Sequence, residues 1–101
     1  MSGWYGLLGL GLRAGNLIVG VDGVRAALQR GTCQLVVLAS DASPRATEKV
    51  VRLAEGRGVG VVRGPEAARM GERLGRPPVM VVGVRDAALA RGIREAAAGQ
   101  A

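Results

Sequence analysis

Hydrophobic positions along the chain follow two spacings, one typical of strands and one typical of helices. Short, nearly unbroken apolar runs predict four strands, at Leu17–Val19 and at residues 34–39, 58–62 and 79–84. The second and fourth of these are predicted as inner strands of a sheet, covered on both faces. Between the runs, apolar residues recur every three or four positions, as they do on the buried face of a helix.

Five helices are predicted in the segments outside these strands. They cover residues 3–14, 21–30, 44–55 and 65–74, and a last helix follows Asp86. Ser43 stands at the expected N-cap of the third helix, with Pro44 at its first helical position. Capping is also the predicted role of three aspartates, Asp22, Asp41 and Asp86. Residues 96–101 are expected to fray.

The alternation of helices and strands indicates an α/β fold with a largely parallel or mixed sheet and helices on both faces. Because no linker or repeat divides the 101 residues, one domain over residues 1–101 is predicted. Ligands of such sheets bind beyond the carboxyl ends of the strands. The candidate sites are therefore the strand-to-helix turns at residues 20–23, 40–43 and 63–65.

The turn at Gly20 is the most informative of the three, because an apolar strand breaks there directly into an amphipathic helix. The first N–H groups of a helix have no intrahelical acceptor, and the helix dipole places partial positive charge on them. Such a junction binds an anion without any special side chain.

The charge of the chain indicates which anion to expect. Fourteen basic residues, all but one of them arginine, exceed eight acidic ones, so the net charge is +6 and the sequence pI is about 11.3. This balance favours a nucleic acid as partner. A genome rich in G and C also raises the arginine content, so the placement of the charge has to decide. If nucleic acid is the partner, we expect the charge to gather along a single edge of the molecule.

Aromatic residues limit how a nucleic acid could be held. They make up 2% of the chain and consist of Trp4 and Tyr5, which are predicted to anchor the first helix. Proteins that bind single strands need stacking platforms, which this chain lacks. The composition favours contacts to phosphates and to the shape of a folded RNA.

The sequence offers few parts of an enzyme or of a metal site. It has no histidine and one cysteine, Cys33, which excludes the common zinc sites and the histidine-based triads. We expect no catalysis, no cofactor and no small-molecule substrate, with Cys33 as a buried, reduced, small hydrophobe. The apolar runs are much shorter than the roughly 20 residues that cross a bilayer, and no signal peptide is recognised, so a cytoplasmic protein is predicted.

Several short stretches occur together in one order across nearly the whole chain. They are the leucine-rich segment at residues 7–10, the turn at residues 13–15, Gly20 with the helix that ends at residues 30–31, the segment Leu-Val-Val-Leu-Ala-Ser-Asp-Ala-Ser at residues 35–43, and residues 70–76. In these stretches the chain resembles the kink-turn RNA-binding proteins of the large-ribosomal-subunit L-seven-Ae group, most closely its small bacterial YlxQ-like branch.

This resemblance implies a three-layer α-β-α sandwich with a four-stranded mixed sheet, which binds a sharply bent RNA containing sheared G·A pairs. It places the RNA at the start of the second helix, at the loop after the following strand and at the loop that enters the final strand. With the arginines that supply charge, the predicted RNA-binding residues are Gly20, Val21, Asp22, Gly23, Arg25, Ser40, Asp41, Arg45, Arg76, Pro77 and Pro78.

The chain departs from the family's signature at the second helix. After the glycine the family has an asparagine, then a glutamate, and a lysine one turn on, whereas this chain has Asp22, Gly23 and Ala26. Either Arg25 replaces the lysine, or the tight kink-turn contact has given way to a looser ribosomal RNA contact or to a protein partner. The favoured function is a monomeric, non-catalytic, ribosome-associated binder of structured RNA. The alternative is a protein-protein module of the translation machinery.

Overall fold

The computed structural model describes residues 4–99 of the chain. Helices and strands alternate along it, as the hydrophobic pattern predicts. In chain order they are α1 (Tyr5–Arg13), β1 (Leu17–Val19), α2 (Val21–Arg30), β2 (Leu35–Leu38), α3 (Pro44–Gly56), β3 (Gly60–Arg63), α4 (Ala67–Leu74), β4 (Val81–Val84) and α5 (Ala87–Ala98).

The four strands form one mixed sheet in the order β1-β4-β2-β3. Strand β4 is antiparallel to both of its neighbours, while β2 and β3 are parallel. The prediction that the second and fourth strands are the inner ones is confirmed, and both are buried along their whole length. The pairing places the carboxyl ends of β1, β2 and β3 at one edge of the sheet, together with the amino end of β4.

Two hydrophobic clusters cover the two faces of the sheet. Helices α2 and α3 bury Val24, Leu28 and Val50 against Val36 and Val81 on one face. On the other face α1, α4 and α5 contribute side chains that pack against β2 and β4; the largest fully buried ones are Leu8, Met70 and Ile93. Alternate residues of β2 enter alternate clusters, which explains its continuous apolar run. The three-layer α-β-α sandwich is thereby confirmed.

Cys33 belongs to the α2 and α3 cluster, and its residue is 3% exposed. Its thiol donates a hydrogen bond to the Leu35 carbonyl at 3.3 Å. Burial raises the pKa of the Cys33 thiol, which opposes its ionisation. The expectation of a buried small hydrophobe is confirmed, and so is that of Trp4 as an anchor of the first helix, since Trp4 is 3% exposed within the other cluster.

The boundaries of β1 and α2 coincide with the predicted ones, and those of the other elements differ from them by at most three residues. The third strand is Gly60–Arg63 rather than residues 58–62, because Gly58 has a left-handed φ of 71° in the turn before it. The fourth helix starts at Ala67 rather than at residue 65. The predicted fraying from residue 96 is wrong for residues 96–98, which continue α5, and Ala96 and Ala97 pack against the core. Residues 3, 100 and 101 of these predictions lie outside the described range.

The helix N-caps show which of the capping predictions made from the local sequence are correct. Asp86 caps α5 as predicted, since its carboxylate accepts from the Leu89 N–H at 2.8 Å. Ser43 occupies the predicted N-cap position of α3, but its side chain makes no capping hydrogen bond. Asp22 as an N-cap is wrong, because Gly20 is the N-cap of α2 and Asp22 lies inside its first turn. Asp41 does not cap α3, and its actual partner is described below.

Candidate functional site

The candidate site is the edge of the sheet at which β1, β2 and β3 end and β4 begins. We call this edge the rim and define it as residues 20–25, 40–45, 63–66 and 76–80. All three predicted strand-to-helix turns lie here, together with the loop that enters β4. The rim thus brings together segments from both halves of the chain.

Backbone hydrogen bonds tie the segments of the rim to one another and to the sheet. The Gly20 N–H donates to the Val81 carbonyl at 2.9 Å, and the Ala39 N–H donates to the Met80 carbonyl at 2.8 Å. The Ser40 N–H donates to the Pro65 carbonyl at 3.0 Å. Because each bond joins residues far apart in sequence, the rim is held by the fold rather than by any single loop.

The start of α2 presents unpaired N–H groups. Its N-cap, Gly20, has φ of 100° and ψ of 157° and offers no side chain to the helix end. Within the described part of the chain, no acceptor binds the N–H groups of Val21, Asp22 or Gly23. Three amides and the positive end of the helix dipole are therefore available to an anion.

A cleft of about 390 Å³ adjoins this helix start. Gly20 and Val21 form one wall, while the loop before β4 forms the other, with Arg76, Pro77, Pro78 and Met80. Five of the predicted site residues thus line one cleft. Its chemistry combines backbone amides, one guanidinium and apolar surface.

Gly71 determines where the second wall of the cleft lies. A Cβ built at this position would overlap the carbonyl oxygen of Pro77 and would come within 2.7 Å of the Arg76 carbonyl oxygen. The Arg76 N–H also donates to the Gly71 carbonyl at 2.8 Å. The loop therefore packs directly on the backbone of α4 and needs a residue without a side chain there.

Ser40 and Asp41 lie at the same edge but outside the lining of this cleft. One carboxylate oxygen of Asp41 accepts from the Ala67 N–H at 2.8 Å. Asp41 therefore caps α4, across 26 positions of sequence, rather than the helix that follows it. Ser40 is exposed, and its carbonyl accepts from the Arg63 guanidinium at 3.4 Å.

Arg25 and Arg45 extend the site away from the cleft, onto the outer side of α2 and α3. Arg25 lines a shallow cavity of about 340 Å³ with Lys49 and Arg52. Arg45 precedes Lys49 by one helical turn and is exposed at the start of α3. Of the predicted site residues, five therefore line the cleft and two, Arg25 and Arg45, lie on a basic surface beside it, while the rest lie at the rim outside both.

The prediction that positive charge gathers along a single edge is wrong. Arg30 and Arg85 line a cavity at the opposite end of the sheet, where β4 ends and β2 begins. Arg57 and Arg94 line a second cavity next to it. The sequence could not separate these arginines from those of the rim, because only the fold decides which loops share an edge.

Four residues that the structure places at or beside the rim are not among the predicted RNA-binding residues, although one of them, Arg63, belongs to the predicted candidate turn at residues 63–65. Arg63 and Arg52 line a cavity of about 370 Å³ between α3 and β3, and Lys49 faces Arg25. Met80 is 41% exposed in the cleft although its neighbours Val79 and Val81 are buried. Residues 79–82 are all apolar, so the sequence carries no signal that singles out Met80.

Neither a helix able to span a membrane nor a group of metal ligands is found within residues 4–99. Within residues 4–99, none of the helices combines the length and the apolar character that crossing a membrane requires. In the same range, no three side chains of the types that ligate metals are grouped to hold an ion.

Comparison with known proteins identifies the family. The model of the ribosomal protein L7Ae/L30e/S12e/Gadd45 family matches residues 3–96. The chain belongs to this family. The resemblance inferred from the sequence is thus confirmed, and the family model spans every segment of the rim.

Solved structures similar to this L7Ae-family chain share its fold over nearly the whole length. A protein of unknown function from Bacillus halodurans C superimposes with a TM-score of 0.91 at 30% identity, over 97% of this chain and 99% of that one. A 15.5kD RNA binding protein of Giardia lamblia gives a TM-score of 0.80 at 21% identity, over 94% of this chain and 82% of that one. No curated protein matches the chain significantly.

Proposed function

We propose that this L7Ae-family protein is a non-catalytic binder of structured RNA, which it holds at the rim. The observation that carries the proposal is the row of unpaired N–H groups at Val21, Asp22 and Gly23, beside a cleft that Arg76 lines. Family membership and the fold shared with an RNA binding protein of Giardia lamblia support RNA as the ligand. We further propose a bent, kink-turn-like or ribosomal RNA, and a role at the ribosome in the cytoplasm.

The parts of the rim suit different parts of such an RNA. The amides at the start of α2 and the Arg76 guanidinium bind phosphate oxygens, the latter in a charge-assisted contact. Asp22, exposed in the first turn of α2, accepts hydrogen bonds from the edge of a guanine. Pro77, Pro78 and Met80 offer apolar surface to a base or sugar that the bend exposes. Arg25 and Arg45 contact the flanking backbone.

The arrangement supports bent rather than straight RNA as the proposed ligand. The cleft wall at residues 76–80 and the basic surface on α2 and α3 flank the start of α2 on two sides. A straight duplex follows one of these surfaces, whereas a sharply bent RNA follows both. We therefore expect recognition by shape, with phosphate contacts setting the register.

The test compares two RNAs of equal length and composition, one with a kink-turn of tandem G·A pairs and one fully paired. We expect the protein to bind the kinked RNA at least tenfold more tightly at a fixed salt concentration, and Arg76→Gln to remove most of that preference. Arg91→Gln serves as the matched control, because Arg91 is exposed on α5 and away from the rim. Equal affinities for the two RNAs would contradict kink-turn recognition but would be consistent with a looser RNA contact.

The alternative is a protein-protein module of the translation machinery. It draws on Asp22, Gly23 and Ala26, which replace the family's RNA-contacting signature. Co-sedimentation with ribosomes that survives ribonuclease treatment, together with no measurable affinity for either RNA, would favour it over the proposal above.

A further inference from the structure

A second cluster of arginines lies at the end of the sheet opposite to the rim. Arg30 and Arg85 line a cavity of about 530 Å³ with Gly31, Thr32 and Gln34. Arg57 and Arg94 line a cavity of about 370 Å³, which shares Gly31 and Gln34 with the first. The two cavities are thus adjacent. We call Arg30, Arg57, Arg85 and Arg94 the far-end cluster.

Helix ends account for two of these four arginines. Arg30 lies in the last turn of α2 and Arg57 is the C-cap of α3, where a cation interacts favourably with the negative end of the helix dipole. Arg85 directly follows β4, and Arg94 lies in the interior of α5, so the dipoles do not explain them. Arg94 reaches the sheet, since its Cδ lies 3.8 Å from a Cβ built at Gly60.

Within residues 4–99, no carboxylate forms an ion pair with the far-end cluster. Neither cavity is lined by an acidic side chain. The nearest acidic residues in sequence are Glu55, Asp86 and Glu95, and the Asp86 carboxylate is occupied by the Leu89 N–H. Across residues 4–99 the ion pair within 4 Å is that of Glu48 with Arg52, on the outer side of α3. The four guanidinium groups are therefore available to an external anion.

The lining of the cavities is suited to phosphate oxygens. Guanidinium groups bind them in a bidentate geometry, and the exposed amide of Gln34 is a further donor. Gly31 and Gly58 adopt left-handed turns with φ of 77° and 71°, so no side chain projects between the arginines at these points. The surface is thus both charged and open.

We propose that the far-end cluster is a second binding surface, which takes the phosphate backbone of an RNA duplex. The two surfaces lie beyond opposite ends of the strands, so two RNA segments can occupy them at the same time. The protein then bridges two RNA segments, one at each end of the sheet. This second surface is inferred from the far-end residues alone, whatever binds at the rim.

The experiment measures binding of a fully paired 20-base-pair RNA to the full chain, with and without saturating kink-turn RNA. We expect Arg85→Gln with Arg94→Gln to weaken the duplex at least fivefold and to reduce the slope of log K against log salt by about one for each lost phosphate contact. Arg69→Gln with Arg73→Gln is the matched control, because it removes the same charge from α4. Arg85→Lys with Arg94→Lys keeps the charge and is expected to retain more affinity than the glutamine pair, but less than wild type.

Several outcomes decide the proposal. Unchanged duplex affinity of the Arg85 and Arg94 variant, or an equal loss in the α4 control, overturns it. A polyglutamate peptide that binds through the same two arginines while the duplex does not also overturns it, in favour of an acidic protein partner. Failure of the kink-turn RNA to bind concerns only the rim, because duplex binding is measured in its absence as well. Simultaneous binding of both RNAs to wild-type protein supports the bridge.

Discussion

At Gly20 the chain passes from β1 into α2 with φ of 100° and ψ of 157°, a conformation that is essentially restricted to glycine. A Cβ at this position would meet no atom within 4 Å, so the requirement for glycine is conformational rather than steric. This one residue permits the strand to end and the helix to begin without a capping side chain. The amides of the next three residues stay open for the same reason.

Gly71 illustrates the opposite requirement, since it is needed for space. We predict that Gly71→Ala lowers the free energy of unfolding by about 1 to 3 kcal/mol, because its methyl group displaces the backbone of residues 76 and 77. Urea denaturation checks the loss. Affinity for kink-turn RNA is expected to fall as well, since the displaced loop forms one wall of the cleft.

The control for this substitution is Gly92→Ala in the interior of α5, where a Cβ meets nothing within 4 Å. There the gain in helix propensity is expected to stabilise the protein by up to about 1 kcal/mol. Destabilisation of similar size at both positions would show that Gly71 has no special packing role.

Three aspartates near helix N-termini differ in how much they stabilise the helix that they contact. We predict that Asp41→Ala and Asp86→Ala each lower the free energy of unfolding by about 1 kcal/mol, because each removes a 2.8 Å hydrogen bond to a helix N-terminus. Asp22→Ala is expected to lower the free energy of unfolding by less than about 0.5 kcal/mol, since the Asp22 carboxylate interacts only with the dipole of α2. Thermal unfolding of the three variants measures the contrast, and equal losses would contradict it.

These aspartates also show what the sequence could and could not predict. Asp86 was predictable because its cap is local, three positions away from the residue that it binds. Asp41 caps α4 across the sheet edge, and no periodicity carries that information. In the same way the order of elements followed from hydrophobic spacing, while the division of the arginines between two ends of the sheet required the strand order.

At the cleft, the residues that family resemblance indicates coincide with those that strand topology brings together. Gly20, Val21 and the segment of residues 76–78 share one cleft, as the expectation of a site beyond the strand ends requires. Met80 and Lys49 were missed because single exposed residues within apolar or amphipathic segments carry little signal in one sequence. Their contribution is visible only once the loops are placed side by side.

At the scale of the whole molecule, charge is expected to control the strength of RNA binding. If about four phosphates are neutralised at the rim, log K for a short kink-turn RNA falls with the logarithm of the salt concentration, with a slope of about −3.6. We predict that Arg25→Glu makes this slope shallower by about one or more and weakens binding, because Arg25 belongs to the basic surface beside the cleft. Fluorescence anisotropy at several salt concentrations provides the measurement.

Arg91→Glu is the control, because it changes the net charge equally on the surface of α5. A binding curve that does not respond to salt would exclude phosphate contacts as the main source of affinity. If an Arg25 variant binds like wild type, the Arg25 side chain does not contact the RNA.

The position of β4 between β1 and β2 has a consequence for biosynthesis. A nascent chain that has left the ribosome up to β3 can pair β2 with β3, but β1 has no partner until Val81–Val84 is made. The final strand must then insert between two segments translated much earlier, a non-local step of the kind that slows folding. Because the acceptors of the Gly20 and Ala39 amides belong to residues 80 and 81, the rim of a newly made polypeptide is completed only after these residues have been synthesised.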